Sequence, residues 1–181
     1  MGYANDEKQN ELNKKIYFSI NAGTSISRKI KNFKFHMGYY VGAAIGYKLS
    51  DFRFELDSSF QRFLEKKTNH TYVVRGGKKF KESISLITNV YYDFDVDFPL
   101  RPYIGRGLGY YQSRGHTQWQ RLDTFLSSRL RFKNKGLVWQ AIAGLKYSLC
   151  RNTELGIEYR LLQQERYPVL QKIGLTLTRY F

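Results

Sequence analysis

Between Met37 and Gln61 the chain alternates apolar and polar residues with a period of two, interrupted once by a two-residue turn, and this restricts the fold more than any other feature. Met37, Tyr39, Val41, Ala43, Ile45, Tyr47 and Leu49 fall on one side; Gly38, Tyr40, Gly42, Ala44, Gly46 and Lys48 fall on the other. Ser50-Asp51 suits a tight turn, after which Phe52, Phe54 and Leu56 share a face opposite Arg53, Glu55, Asp57, Ser59 and Gln61. Period two on both sides of a short connection is a β-hairpin. The apolar face is aliphatic with aromatics near its ends, and the other mixes glycines with charges of both signs. That suits a strand pair with lipid outside and a narrow polar lumen inside.

The alternation recurs along the chain. Lys15–Gly23 sets Ile16, Phe18, Ile20 and Ala22 against Tyr17, Ser19 and Asn21, and Glu82–Phe94 sets Ile84, Leu86, Val90, Tyr92 and Phe94 against Ser83, Ser85, Asn89, Tyr91 and Asp93. Tyr103–Tyr111 is a fifth strand. The sixth, Gly136–Leu149, points Leu137, Trp139, Ala141, Ala143, Leu145, Tyr147 and Leu149 one way and Val138, Gln140, Ile142, Gly144, Lys146 and Ser148 the other. After Cys150-Arg151-Asn152 a seventh strand separates Leu155, Ile157, Tyr159 and Leu161 from Glu154, Gly156, Glu158 and Arg160. The eighth separates Ile173, Leu175, Leu177 and Phe181 from Lys172, Gly174, Thr176 and Thr178. The expectation is an all-β, eight-stranded antiparallel up-and-down transmembrane barrel over residues 15–181, preceded by a flexible tail, 1–14.

The connections support an up-and-down order. Residues 24–36, 65–80 and 112–135 read as long basic loops, with Thr124–Phe132 able to form strand above the membrane. Short turns stand between them, at Ser50-Asp51, around DVDFPLRP and at Cys150-Arg151-Asn152. In an up-and-down barrel this sorts long loops to one rim and tight turns to the other, as in bacterial outer-membrane barrels. The fifth strand leaves its register open. Ile104 and Leu108 share a face with Arg106, so either Arg106 faces lipid or snorkels to a rim, or the register flips and turns the glycines outward.

Composition excludes other classes. No apolar run reaches the ~18–20 residues of a membrane-spanning helix. A mean hydropathy of −0.52 does not argue against a barrel, whose polar face dilutes hydropathy. Aromatics at 17% favour strands and interfacial girdles. Cys150 is alone, so no internal disulfide forms, and no zinc spacing exists; no metal and no cofactor are expected. The first residues lack a basic-then-apolar leader, and the sequence is read as a mature form whose signal peptide has been removed.

The expected lumen face collects Lys48, Arg53, Glu55, Asp57, Lys146, Glu154, Glu158, Arg160 and Lys172. Eight strands leave a bore just wide enough for side chains. Mutually compensating charges then form a plug, which is favoured over a gated ion path because a lone charge there is expensive. Thirty Lys and Arg against fifteen Asp and Glu give a net charge of +15. Lys29, Lys31, Lys66, Lys67, Lys78, Lys79, Arg121, Arg129 and Arg131 are candidate anion-binding residues, for lipopolysaccharide phosphates or host polyanions and surface proteins. Nucleic acid is not an expected partner, since no recognition motif accompanies the charge. His36, His70 and His116 have no Ser or acid at a spacing that forces a catalytic arrangement. The expected role is that of a non-enzymatic, monomeric outer-membrane surface protein of adhesin type. The alternatives are a small lipid A-modifying enzyme and a soluble lipocalin-like carrier with an apolar cavity.

The segments GAAIGYKLSDFRFELDSSFQRF, LITNVYYDFDVDFPLRPYIGRGLGYY and VWQAIAGLKYSLCRNTELGIEYRLL resemble the eight-stranded surface-antigen barrels of Rickettsiales-type bacteria, the Wolbachia surface protein type. More broadly they resemble OmpA/OmpX-type barrels. The likeness runs from Tyr39 to the C-terminus and is most specific at Tyr-Ile-Gly-x-Gly-Leu-Gly, residues 103–109. It implies an outer-membrane location, a role at the cell surface and no common catalytic residues. Phe181, with apolar residues alternating before it, is similar to the signal read by the barrel-insertion machinery; Arg179 departs from that pattern.

Overall fold

A computed structural model describes residues 14–29, 34–64, 79–120, 127–165 and 169–181; at 14, 28–29, 34–36, 64, 79–81, 116–120 and 127–132 it describes the backbone alone. Eight strands follow one another: β1 (Lys14–Lys29), β2 (Lys34–Leu49), β3 (Phe52–Leu64), β4 (Lys79–Asp93), β5 (Leu100–Gln120), β6 (Ser127–Cys150), β7 (Thr153–Gln164) and β8 (Leu170–Tyr180). Each pairs antiparallel with the next, and β8 pairs with β1 to close a barrel. At the seam the Phe181 N–H donates to the Ile16 carbonyl at 2.9 Å, so the start of β1 and the end of β8 meet at the short-turn rim; the tail expected at 1–14 lies outside the described residues except for Lys14, which begins β1.

The register fixes the bore. Following partners from Tyr17 through Gly46, Glu55, Asn89, Gly107, Gln140, Leu162 and Leu170 returns to β1 at Ser27, ten residues further along. A stagger of this size over eight strands goes with a strand tilt of roughly 40° and an interior that side chains fill. All the residues on that path point inward, as a period of two requires.

The polarity is that of a membrane barrel. Ile45, Leu108, Trp139 and Leu175 are exposed on the outside, whereas Ser19, Asn89, Asp57, Gln140 and Arg160 are buried inside. Tyr47, Phe52, Tyr92, Phe94 and Tyr147 ring the short-turn end of the apolar band, with the Phe52 and Tyr92 rings 5.3 Å apart edge to face. Tyr39, Tyr110 and Trp139 stand at the other end of it. These are the two aromatic girdles of an outer-membrane barrel. A lipocalin-like cavity would need the apolar side within, so that alternative is overturned.

The long connections are shorter than expected. Residues 24–29 and 34–36, expected as loop, belong to β1 and β2, 79–80 to β4, and 112–120 and 133–135 to β5 and β6; 127–132, read as able to form strand, is strand, and 121–126 lies outside the described residues. Loop and strand are hard to tell apart there because a wall rising above the membrane has water on both faces and needs no apolar alternation. The open register of β5 resolves to Ile104, Arg106, Leu108 and Tyr110 outward, with Gly105, Gly107 and Gly109 inward.

Candidate functional site

The lumen is built in layers. Nearest the short-turn rim, Asp93 at the end of β4 accepts from Arg53 Nε at 3.0 Å and from Lys146 Nζ at 2.7 Å, with Lys48 Nζ 3.8 Å away. Glu154 accepts from Arg101 at 2.7 Å and from the Tyr180 hydroxyl at 2.8 Å, and lies 3.3 Å from Lys146. The Arg53 guanidinium also lies over the rings of Tyr91 and Tyr103, at 4.6 and 4.8 Å.

One step further in, Glu55 is held by neutral donors: the hydroxyls of Tyr91, Tyr17 and Ser19 at 2.9, 3.2 and 3.4 Å and the Asn89 amide at 3.2 Å. Beside it Arg160 donates to Asp57 at 2.5 Å and to Glu158 at 2.8 Å, and Glu158 also accepts from Thr176. Lys172 is buried with its ammonium 4.8 Å from the Tyr40 ring centroid. Above these charges Phe63, Ile87, Tyr111, Val138, Leu162 and Leu170 meet as an apolar layer.

The tyrosines fit because glycines face them. A Cβ on Gly46 would fall onto the Tyr17 ring, and one on Gly144 would come within 2.5 Å of Tyr103 Cζ. Both are cross-strand partner pairs.

The sequence places nine charges on the lumen face. Eight of them are buried there, and Lys48 is half-buried at the rim. Asp93 joins the set: Lys48, Arg53, Lys146, Arg160 and Lys172, with Arg101 at the rim, stand against Glu55, Asp57, Asp93, Glu154 and Glu158. Alternation puts Asp93 on the inner face without marking it as an ion-pair partner, and it leaves Arg101 in a connection. A cavity lined by Arg53, Glu55, Tyr91, Tyr103, Glu158 and others holds about 10 Å³, room for about one water. The middle of the barrel is therefore packed with interlocked charges.

The anion-binding candidates are distributed differently. Lys29, Lys79, Arg129 and Arg131 lie on strand backbone, and Lys31, Lys66, Lys67, Lys78 and Arg121 lie outside the described residues. The described outer wall carries cations that the sequence does not single out. Arg114 on β5 is the direct cross-strand partner of Lys133 on β6; Lys135 is two residues along, and all three side chains point outward just above Tyr110 and Leu137. On its other side Arg114 has Glu82 of β4 as cross-strand partner, and Glu82 lies 3.6 Å from Arg62; the β5 partners of Lys133 and Lys135 are Arg114 and Gln112.

The sequence model of a family described as the outer membrane protein beta-barrel domain matches residues 3–179. The chain belongs to that family. It resides in the bacterial outer membrane. No curated protein matches it by sequence. Among solved structures it is similar to Neisserial surface protein A, with 17% identity, 92% of this chain and 97% of that chain covered, and a TM-score of 0.62. It is also similar to a major outer membrane protein of Thermus thermophilus, with 13% identity, 92% and 99% coverage and a TM-score of 0.56. A third likeness is to Ail, the attachment invasion locus protein of Yersinia pestis, with 14% identity, 91% and 98% coverage and a TM-score of 0.50. At such identities the likeness is one of fold.

Proposed function

We propose that this outer-membrane barrel works non-enzymatically at the cell surface, through cations on its outer wall that engage phosphate or sulfate groups. The observation that carries this reading is the Arg114–Lys133 pair with Lys135 beside it. Like charges directly opposite one another on a sheet repel, so an anion seated between them removes a cost built into the wall. The lumen charges nearly balance, so most of the +15 excess of the chain lies on its other surfaces. The height of the cluster, just outside the apolar band, matches the lipid A phosphates of lipopolysaccharide; sulphated host glycans have the same chemistry and are the second ligand of this reading. An adhesin-like role and the finer assignment to the Rickettsiales-type surface antigens rest on the quoted sequence phrases. Each lumen carboxylate accepts hydrogen bonds from neighbouring lumen side chains, which supports a scaffold over a lipid A-modifying enzyme.

The test compares wild-type protein with the triple variant Arg114→Glu, Lys133→Glu, Lys135→Glu in nanodiscs, measuring binding of lipopolysaccharide, of its dephosphorylated form and of a sulphated glycan. We expect the variant to bind the phosphorylated or sulphated ligand about tenfold more weakly or worse, by analogy with charge-assisted contacts. Equal binding by the two proteins, or equal binding of dephosphorylated lipopolysaccharide, would overturn the reading. The variant Arg151→Glu, at the opposite rim, controls for net charge.

A further inference from the structure

Arg106 stands in the middle of the lipid-facing band. On its own strand Pro102 and Ile104 lie on one side and Leu108 and Tyr110 on the other, and its cross-strand partners are Val90 and Ala141. Tyr110 marks one girdle four residues away, roughly 10 Å of height at a rise of about 3.3 Å per residue and this tilt. An extended arginine reaches less far than that. Arg106 is exposed, and among the described residues no hydrogen bond or ion pair engages it. An arginine facing hydrocarbon at this depth costs about 2–4 kcal/mol, so its guanidinium calls for an acceptor from outside its own chain.

The surroundings say what shape that acceptor comes in. Beside β5, strand β6 presents only Ala141 and Ala143 at this level, and beyond it β7 presents Tyr159. Arg106 pairs with Ala141, which pairs with Leu161, two residues from Tyr159. The stagger of ten residues over eight strands raises the level by about two and a half residues across two strands. Tyr159, two residues below Leu161, therefore stands at the height of Arg106 to within about one residue. A cation and a phenol thus flank a shallow alanine floor, at equal height and one strand to either side.

The geometry points to a two-fold dimer in the membrane, with a second copy of this chain packed β6 against β6. Two barrels inserted the same way are related by an axis along the membrane normal, which runs here past Ala141 and Ala143. That operation sets Arg106 of each copy opposite Tyr159 of the other, so the pair forms twice, as an isologous interface requires. The phenol accepts from the guanidinium or presents its ring face to it, and the alanines let the two walls approach closely, as small residues do between membrane segments. The inference departs from the monomer expected from the sequence. It depends on the outer-membrane assignment and not on the anion-binding reading.

Cysteine cross-linking in lipid vesicles tests it, in a Cys150→Ser background. A residue on the axis meets its own copy, so Ala143→Cys should form a disulfide-linked dimer on mild oxidation. Ala43→Cys, outward at the same height on β2 across the barrel, should cross-link at least about tenfold more slowly. Adding Arg106→Leu to Ala143→Cys should reduce the yield about tenfold, equivalent to roughly 1.4 kcal/mol, with the heat-sensitive gel mobility of the folded barrel retained. Tyr159→Phe should reduce it in the same direction from the other side of the pair. Equal rates at positions 43 and 143, or an Ala143→Cys yield untouched by Arg106→Leu, would overturn the dimer and leave lipid as what covers Arg106.

Discussion

Arg160 and Asp57 join opposite walls of the barrel. They lie on β7 and β3, four strands apart whichever way the barrel is followed, and the guanidinium donates to the carboxylate at 2.5 Å across the lumen. Arg160 also holds Glu158 on its own strand. One cation therefore engages two buried carboxylates and ties the cylinder across its diameter.

Removing that cation strands two buried anions, which costs far more than the pair contributes. Arg160→Met is expected to destabilise the folded barrel by about 3–5 kcal/mol, read from urea unfolding and refolding in lipid vesicles. Arg160→Met combined with Asp57→Leu and Glu158→Leu should recover most of the loss. If the single and triple variants were equally unstable, the charges would not be acting as a compensated set.

The tyrosine–glycine pairs predict a graded response to added methyl groups. Gly46→Ala puts a Cβ onto the Tyr17 ring and is expected to cost about 1–3 kcal/mol. Gly156→Ala, whose Cβ would find its nearest neighbour at 3.3 Å, should cost less in the same unfolding titration.

Much of this interior is legible from the chain alone. Alternation assigns Arg53, Glu55, Asp57, Glu158 and Arg160 to one side without knowledge of their partners. It does not say which carboxylate answers which cation, because Arg160 and Asp57 are 103 residues apart and meet only once the stagger is fixed. Asp93 is harder to see as a partner because it ends its strand and runs into the acid-rich Asp95–Asp97 turn region. The wall above the membrane resembles loop for a physical reason: around Arg129, Arg131, Lys133 and Lys135 no lipid demands an apolar face, so the β signal vanishes while the strand continues. Sequence alone does not decide the Arg106 register, since both solutions violate one rule.

Ser50 has φ of 53° in the β2–β3 turn, and every described glycine has negative φ. A non-glycine residue in that region is strained. A two-residue hairpin with positive φ at its first position favours glycine there. Ser50→Gly is expected to raise stability by up to about 1 kcal/mol, and Ser50→Val to lower it by about 1–3 kcal/mol, in the same titration.

Cys150 is an exposed thiol at the short-turn rim, which faces the periplasm in this family's architecture. A membrane-impermeant maleimide should leave it unlabelled on intact cells and label it once the outer membrane is permeabilised. Labelling on intact cells would invert the orientation, and with it the placement of Arg114, Lys133 and Lys135 outside.

The most direct test of the central claim uses Trp139, 53% exposed on the outer wall. With Trp119→Phe leaving Trp139 as the sole indole, the protein is refolded into vesicles whose lipids carry bromine on their acyl chains. Strong quenching with blue-shifted emission is predicted, because acyl chains touch this face. Unquenched, red-shifted emission in correctly refolded protein would mean that water and not lipid covers the apolar wall, and would contradict the membrane barrel described here.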